Sequence, residues 1–216
     1  MATRTGTYHQ QLAQQKRAAI ISAATGLFLD NGYAGTSLAR VAEAAEVSKA
    51  TLFKQFPTKA NLFEAMVTEH WSTDDDQRPA PRPGDLERGL REYGRRYAAL
   101  MSRPEMVGLY RIVIAEMPRF PALATTHFDL GKMPFFESVQ RYLAAEHDTG
   151  TARIEDPVMA TTQFMGMISN YILWPRLLVV DWAPPPAEVD AAVDDAVATM
   201  CARYRAPRMG CPGRPG

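Results

Sequence analysis

The chain has 216 residues, of which 46% are apolar and 22% charged, the balance of a water-facing globular protein and not of a disordered or membrane-embedded one. That length suits one sizeable core or a small domain joined to a larger one. Formal net charge is zero, so the total is silent on nucleic acid, but residues 1–60 hold seven Lys/Arg against three Asp/Glu and residues 61–216 hold seventeen against twenty-one. A basic front on an acidic body suits a module that approaches phosphates.

Cys201 and Cys211 lie near the C-terminal end, and no apolar stretch with a small-residue cleavage site opens the chain, so neither a disulfide framework nor a secretion signal is expected. The apolar stretch from Met165 to Val180 is interrupted by Asn170 and by Trp174-Pro175-Arg176, too early for the roughly 20 apolar residues of a membrane span. No membrane association and a cytoplasmic location are the expectations.

Apolar residues recur at three- and four-residue spacing and nowhere alternate strictly, which predicts an all-α fold. A first helix over residues 10–30 carries Leu12, Ile20, Ala24, Leu27 and Phe28 on related faces, and Asn31-Gly32 supplies its stop. Thr36 is expected to cap a short second helix with Leu38, Val41, Ala42 and Ala45 inward. Ser48 caps a third with Leu52 and Phe53, and Thr58, behind Phe56-Pro57, caps a fourth that runs through Leu62, Phe63, Met66 and Val67 to Trp71.

Residues 72–84 contain three prolines and three adjacent aspartates and read as an exposed connection, which places a boundary between a domain at 1–71 and one at 85–206. Further helices are predicted at 85–102, 104–116, 120–146 with a break at Gly131-Lys132-Met133-Pro134, 157–180 and 186–204. Pro104, Pro134 and Pro157 suit first-turn positions, and Asp156 is a cap. The Gly/Pro-rich residues 207–216 read as a loose tail.

Two short capped helices joined by a tight turn, with another helix behind them, can present one helix to the major groove of DNA, about 12 Å wide. The presented side chains are Lys49, Ala50, Thr51, Lys54 and Gln55. Lysine donates to guanine or phosphate, glutamine pairs with adenine, and the Ala50 and Thr51 methyls can touch thymine. The same lysine and glutamine could equally be solvated, and capped short helices occur in many bundles.

The stretch from Thr36 to Phe63, TSLARVAEAAEVSKATLFKQFPTKANLF, resembles the signature of TetR/AcrR-type repressors, and the likeness extends over about residues 16–66. The resemblance implies that Thr36 and neighbouring Ser37, at the start of one helix, and Lys59, at the start of another, touch phosphates, while Ser48 and Lys49 to Gln55 face the groove. Helix N-termini favour anions, which agrees. In two places the sequence departs from the family pattern. Glu46 stands where the family usually has glycine in the turn, at a cost on the order of 1 kcal/mol if that residue is left-handed. Phe53 replaces a tyrosine whose hydroxyl would bond a phosphate.

Further along, large adaptable side chains fall at helical spacing, and they serve as core or as the lining of an apolar ligand cavity. Those proposed for a ligand are Tyr97, Met101, Tyr110, Arg111, Ile114, Met117, Phe135, Phe136, Phe164, Ile168, Tyr171 and Trp174. The stretch LYRIVIAEMPRFPALA from Leu109 to Ala124 resembles the C-terminal domain of an AcrR/AefR-like branch, which implies ligand sensing and dimerisation without naming a ligand. Gly166, Ser169 and the row Val189, Val193, Val197 are expected to form a self-complementary face.

The expectation is a ligand-responsive transcriptional regulator: a homodimer bound to double-stranded operator DNA, released as a repressor by a small apolar or aromatic effector. The alternative is a ligand-independent organiser or an activator of the same fold. Catalysis, cofactors and metals are not expected, because His9, His70, His127 and His147 lack metal-ligand spacing and no phosphate loop or nucleophile elbow appears.

Overall fold

The computed structural model describes residues 3–72, 79–179 and 181–206, with side chains from residue 11 onward. Among them are eleven α-helices, one π-helical turn and no strand beyond an isolated bridge between Ala152 and Arg205. The fold is all-α. No described helix is long and apolar enough to cross a membrane. The tail at 207–216 lies outside the described residues, as does 73–78 of the expected connection. The rest of that connection, Ser72 and residues 79–84, is exposed except for half-buried Pro81.

The chain divides into two compact units, Met1–Thr73 with Arg103–Pro134, and Asp74–Ser102 with Phe135–Gly216. The sequence reading has a single domain over 85–206, whereas the first unit takes its last helices from within that range.

In the first unit α1 (Thr3–Gly35) buries Ile20, Ile21, Ala24 and Phe28, one face at three- and four-residue spacing. Leu12, expected on that face, is 36% exposed. The long regular stretch ends at Gly32 as expected: Gly32 takes φ +72°, a left-handed value that glycine adopts freely, and beyond this kink a short helical turn runs on to Gly35. There follow α2 (Leu38–Ala44), α3 (Lys49–Gln55) and α4 (Lys59–Trp71), the last burying Leu62, Phe63, Met66, Val67 and Trp71. Phe28, Tyr33 and Phe63 meet at ring-centroid distances of 5.4 to 6.3 Å, and Phe120 adds an edge contact to Tyr33 at 5.1 Å. α6 (Pro104–Glu116) packs on α1 with Pro104 in its first turn, and α7 (Pro121–Thr126) follows.

The break predicted at residues 131–134 is instead a π-helical turn, His127–Lys132, closed by the Met133 N–H donating to the Phe128 carbonyl. Pro134 has no N–H for the Leu130 carbonyl, so the wider turn carries the helix past the proline without breaking it.

In the second unit α5 (Leu86–Met101) is capped by Asp85, and α8 (Met133–Asp148) joins this unit from Phe135 on. α9 (Pro157–Ile172) is capped by Asp156, whose carboxylate accepts from the Met159 N–H at 2.9 Å. The helix expected over 157–180 is interrupted, and α10 (Trp174–Leu178) starts anew because Pro175 cannot donate to the preceding turn. α11 (Pro186–Tyr204) packs on α5 and α9. A β-carbon at Gly94 would stand 2.8 Å from Val193 Cγ1, so the close approach of α5 to α11 requires glycine there.

Val193 and Val197 are each 1% exposed within the single chain, which corrects the expected dimerisation row: these valines close the unit's own core and cannot also face a second copy. Gly166 is exposed and Ser169 half-buried. Buried Glu146 accepts from the Gly84 and Asp85 N–H groups at 3.0 and 3.2 Å and from the hydroxyls of Tyr142 and Thr151, which fixes the entry to α5. Burial, with Glu146 beside it, pushes the Tyr142 hydroxyl above the usual tyrosine range.

Candidate nucleic-acid interface

The turn between α2 and α3 is built by backbone hydrogen bonds. Val47 N–H donates to the Ala42 carbonyl at 3.0 Å and Glu46 N–H to the Glu43 carbonyl at 3.0 Å, the paired bonds of a Schellman stop. This stop needs a left-handed residue, and Glu46 supplies it at φ +53°. A non-glycine residue there carries a strain of about 1 kcal/mol, so the departure at Glu46 leaves the turn intact at a local cost.

Two residues later Ser48 opens α3. Its hydroxyl oxygen accepts from the Thr51 N–H at 3.1 Å and pairs with the Thr51 hydroxyl at 2.9 Å. One side of α3 is anchored by Leu52, fully buried, and by Phe56 just beyond the helix. The opposite side presents Lys49, Ala50, Phe53 and Lys54, all exposed, with Thr51 and Gln55 half-buried at its edges. Phe53, among the residues expected to face the groove, is 47% exposed.

The cap of α2 is Ser37, which accepts from Arg40 N–H at 3.3 Å, and not Thr36. Thr36 is 3% exposed, and its hydroxyl points back to the Leu27 and Gly32 carbonyls at 2.9 and 3.0 Å. Ser37 itself is exposed.

Half-buried Lys59, at the start of α4, donates from Nζ to the Tyr33 and Thr36 carbonyls at 2.6 and 3.0 Å and lies 4.3 Å from the Tyr33 ring centroid. Its ammonium therefore ties the end of α1 to α4 and keeps one N–H for another partner. Burial lowers its pKa from the lysine norm, opposed by the Glu116 carboxylate.

Two further basic residues stand next to α3. Lys16 and Arg17 on α1 line one groove with Thr51, Lys54 and Gln55. The signal for them was the absence of any acid before Asp30, which the reading of the basic front did not convert into positions.

The residues expected to hold a ligand fall in different units. Tyr110, Arg111, Ile114 and Met117 belong to the first, where Arg111, Ile114 and Met117 are exposed. The other eight belong to the second. There Tyr97, Phe135 and Phe136 form an aromatic group at 5.6 and 5.9 Å, while Met101, Phe164 and Ile168 are wholly buried. Burial pushes the Tyr97 hydroxyl up to about 12. Tyr171 is engaged by Glu188 at 2.6 Å and by the Trp182 ring, and Trp174 is 52% exposed, so neither joins that group. No group of three or more His, Cys, Asp or Glu side chains suited to a metal occurs among the described residues.

A helix pair joined by a tight stop, with the second helix capped, anchored on one side and exposed on the other, defines a helix-turn-helix DNA-binding protein. Residues 20–66 match the bacterial regulatory proteins of the tetR family, and residues 88–206 match the AefR-like transcriptional repressor C-terminal domain. The chain belongs to the TetR family of transcriptional regulators, in its AefR-like branch.

The HTH-type transcriptional regulator YvkB of Bacillus subtilis is 42% identical over 53 residues, which is 24% of this chain and 28% of that relative's length. A structure assigned to the TetR family from Mesorhizobium loti is 27% identical with a TM-score of 0.77, over 89% of this chain and 98% of that one. The flavonoid-responsive regulator FrrA is 26% identical with a TM-score of 0.70, over 90% and 99%.

Proposed function

We propose that this regulator is a homodimeric, ligand-released repressor that works in the cytoplasm on a palindromic operator. The observation that carries the reading is the exposed row Lys49, Ala50, Phe53 and Lys54 on a helix whose ends and inner side are fully engaged. Such a helix meets base edges without giving up any internal contact. Ser37 and Ser48 sit at helix N-termini where backbone N–H groups attract phosphate, and Lys59 adds its remaining N–H. Thr36 takes no part through its side chain, which points inward.

A two-fold pair would set its reading helices about 34–36 Å apart, one turn of DNA. The outward side of α9, with Val158 and Met159 at 58% and 52% exposed and Gly166 about two turns further along, offers a second copy a partly apolar surface. The effector is a small apolar or aromatic molecule, met by the aromatic group of Tyr97, Phe135 and Phe136. The flavonoid response in FrrA's name favours hydroxylated aromatic compounds as the first class to try. Binding then shifts the population toward a head spacing that no longer fits the operator.

The test is binding of the purified protein to the DNA upstream of its own coding sequence, with and without a panel of flavonoids and simpler phenols, alongside thermal melts. An effector at about 100 times its dissociation constant adds roughly 2.7 kcal/mol of stability. DNA binding that no compound weakens, together with unmoved melts, overturns the ligand-released reading. Monomer alone in sedimentation at micromolar concentration overturns the dimer.

A further inference from the structure

Part of α1 is a helix without a covering: every residue from Gln11 to Ala19 is exposed, and among the residues with described side chains the first buried one is Ile20. A helix segment that buries none of its side chains gains nothing from packing and is marginal in water unless a partner takes it up. Its composition names the partner. From residue 1 to Leu29 the sequence holds three cations, Arg4, Lys16 and Arg17, four glutamines at 10, 11, 14 and 15, and no Asp or Glu.

The segment is also placed. Lys16 and Arg17 share their groove with Thr51, Lys54 and Gln55 of the exposed helix, so the basic surface continues from α3 onto α1. The Arg17 guanidinium lies 4.6 Å from the centre of the Phe56 ring, and the residue stays exposed to solvent. Glutamine amides beside lysine and arginine are donors to phosphate and base edges.

We propose that the N-terminal half of α1 is a second DNA-contacting element, in which Lys16 and Arg17 grip phosphates flanking the bases addressed by α3. This rests on the reading of α3 as the groove-facing helix.

The experiment uses the full chain, a fluorescently labelled 40-base-pair random-sequence duplex and anisotropy titrations from 0.05 to 0.3 M NaCl. Each lost phosphate contact lowers the salt slope by about 0.9 and the affinity at 0.1 M salt by about eightfold. The double variant Lys16→Gln with Arg17→Gln is expected to lose about 1.8 in slope and about 60-fold in affinity, with Lys54→Gln as the reference for α3. Because Arg17→Gln also removes the stack on Phe56, Lys16→Gln alone, at a wholly exposed position, must itself lower the slope by about 0.9, and Arg17→Lys must retain it. An unchanged slope in Lys16→Gln and in the double variant, with a lowered slope in Lys54→Gln, overturns the proposal and leaves α3 in the groove. Unchanged slopes in all of them overturn the reading of α3 as well.

Discussion

Glu116 and Gly32 occupy the same few ångströms: Glu116 Oε1 accepts the Ala34 N–H at 3.1 Å, and a β-carbon at Gly32 would stand 2.6 Å from that oxygen. The C-terminal end of α6 thereby fixes the bend of α1 just ahead of α2. Gly32→Ala is expected to destabilise by about 2 kcal/mol, combining a left-handed φ with displacement of the carboxylate. Glu116→Gln, which keeps an acceptor, costs less than Glu116→Ala. Urea titrations check the order, and equal effects of the two Glu116 variants would remove the hydrogen bond from the explanation.

Glu46→Gly relieves the one described non-glycine residue with positive φ. Stability rises by about 1 kcal/mol, less the entropy that glycine adds to the unfolded chain, and DNA affinity is kept. A lower urea midpoint for this variant would contradict the account of the turn.

Lys59→Met removes two charge-assisted hydrogen bonds and a cation above Tyr33. With the site half-open to solvent the loss is about 1–2 kcal/mol, and the Tyr33 and Thr36 carbonyls turn to water. A variant of unchanged stability whose DNA binding alone weakened would make Lys59 a phosphate ligand first and a tie second.

His127 is 6% exposed, and its ring lies 5.7 Å from Trp71 and 4.6 Å from Tyr110. Burial, with Lys132 nearby, lowers it from 6.5 to about 4. The unfolded chain therefore binds a proton below about pH 6.5 that the folded one refuses. Stability is full above that value and falls by about 3 kcal/mol as pH drops toward 4. His70, lowered mainly by burial, acts with the same sign. His127→Phe should flatten this part of the stability–pH curve; a wild-type slope in that variant would assign the acid sensitivity elsewhere.

What could be seen in the sequence was what local chemistry decides. Ser48, Thr58 and Asp156 cap their helices as expected, because a side-chain oxygen and an N–H three residues on need no distant partner. The exposed side of α3 followed from where Leu52 and Phe56 had to go. Thr36 was misplaced as the cap because Thr36-Ser37 offers two adjacent candidates, and the choice depends on the Leu27 and Gly32 carbonyls behind them. Periodicity marked Val193 and Val197 as an apolar row without saying that α5 and α9 cover it. Lys16 and Arg17 were missed because their placement beside α3 is a contact across more than thirty positions.

The interleaving of the two units bears on how the chain comes off the ribosome. The first unit takes α6, α7 and the π-helical turn from residues 104–132, so a nascent chain released only through Trp71 has α1 and α4 but not the surfaces that pack against Leu29 and Trp71. The second unit waits longer still, since α5 finds α11 only once residues near 204 have emerged. Synthesis therefore leaves the inner faces of α1, α4 and α5 without their partners until later helices emerge, and a fragment that ends in the proline-rich stretch lacks α6 and α7.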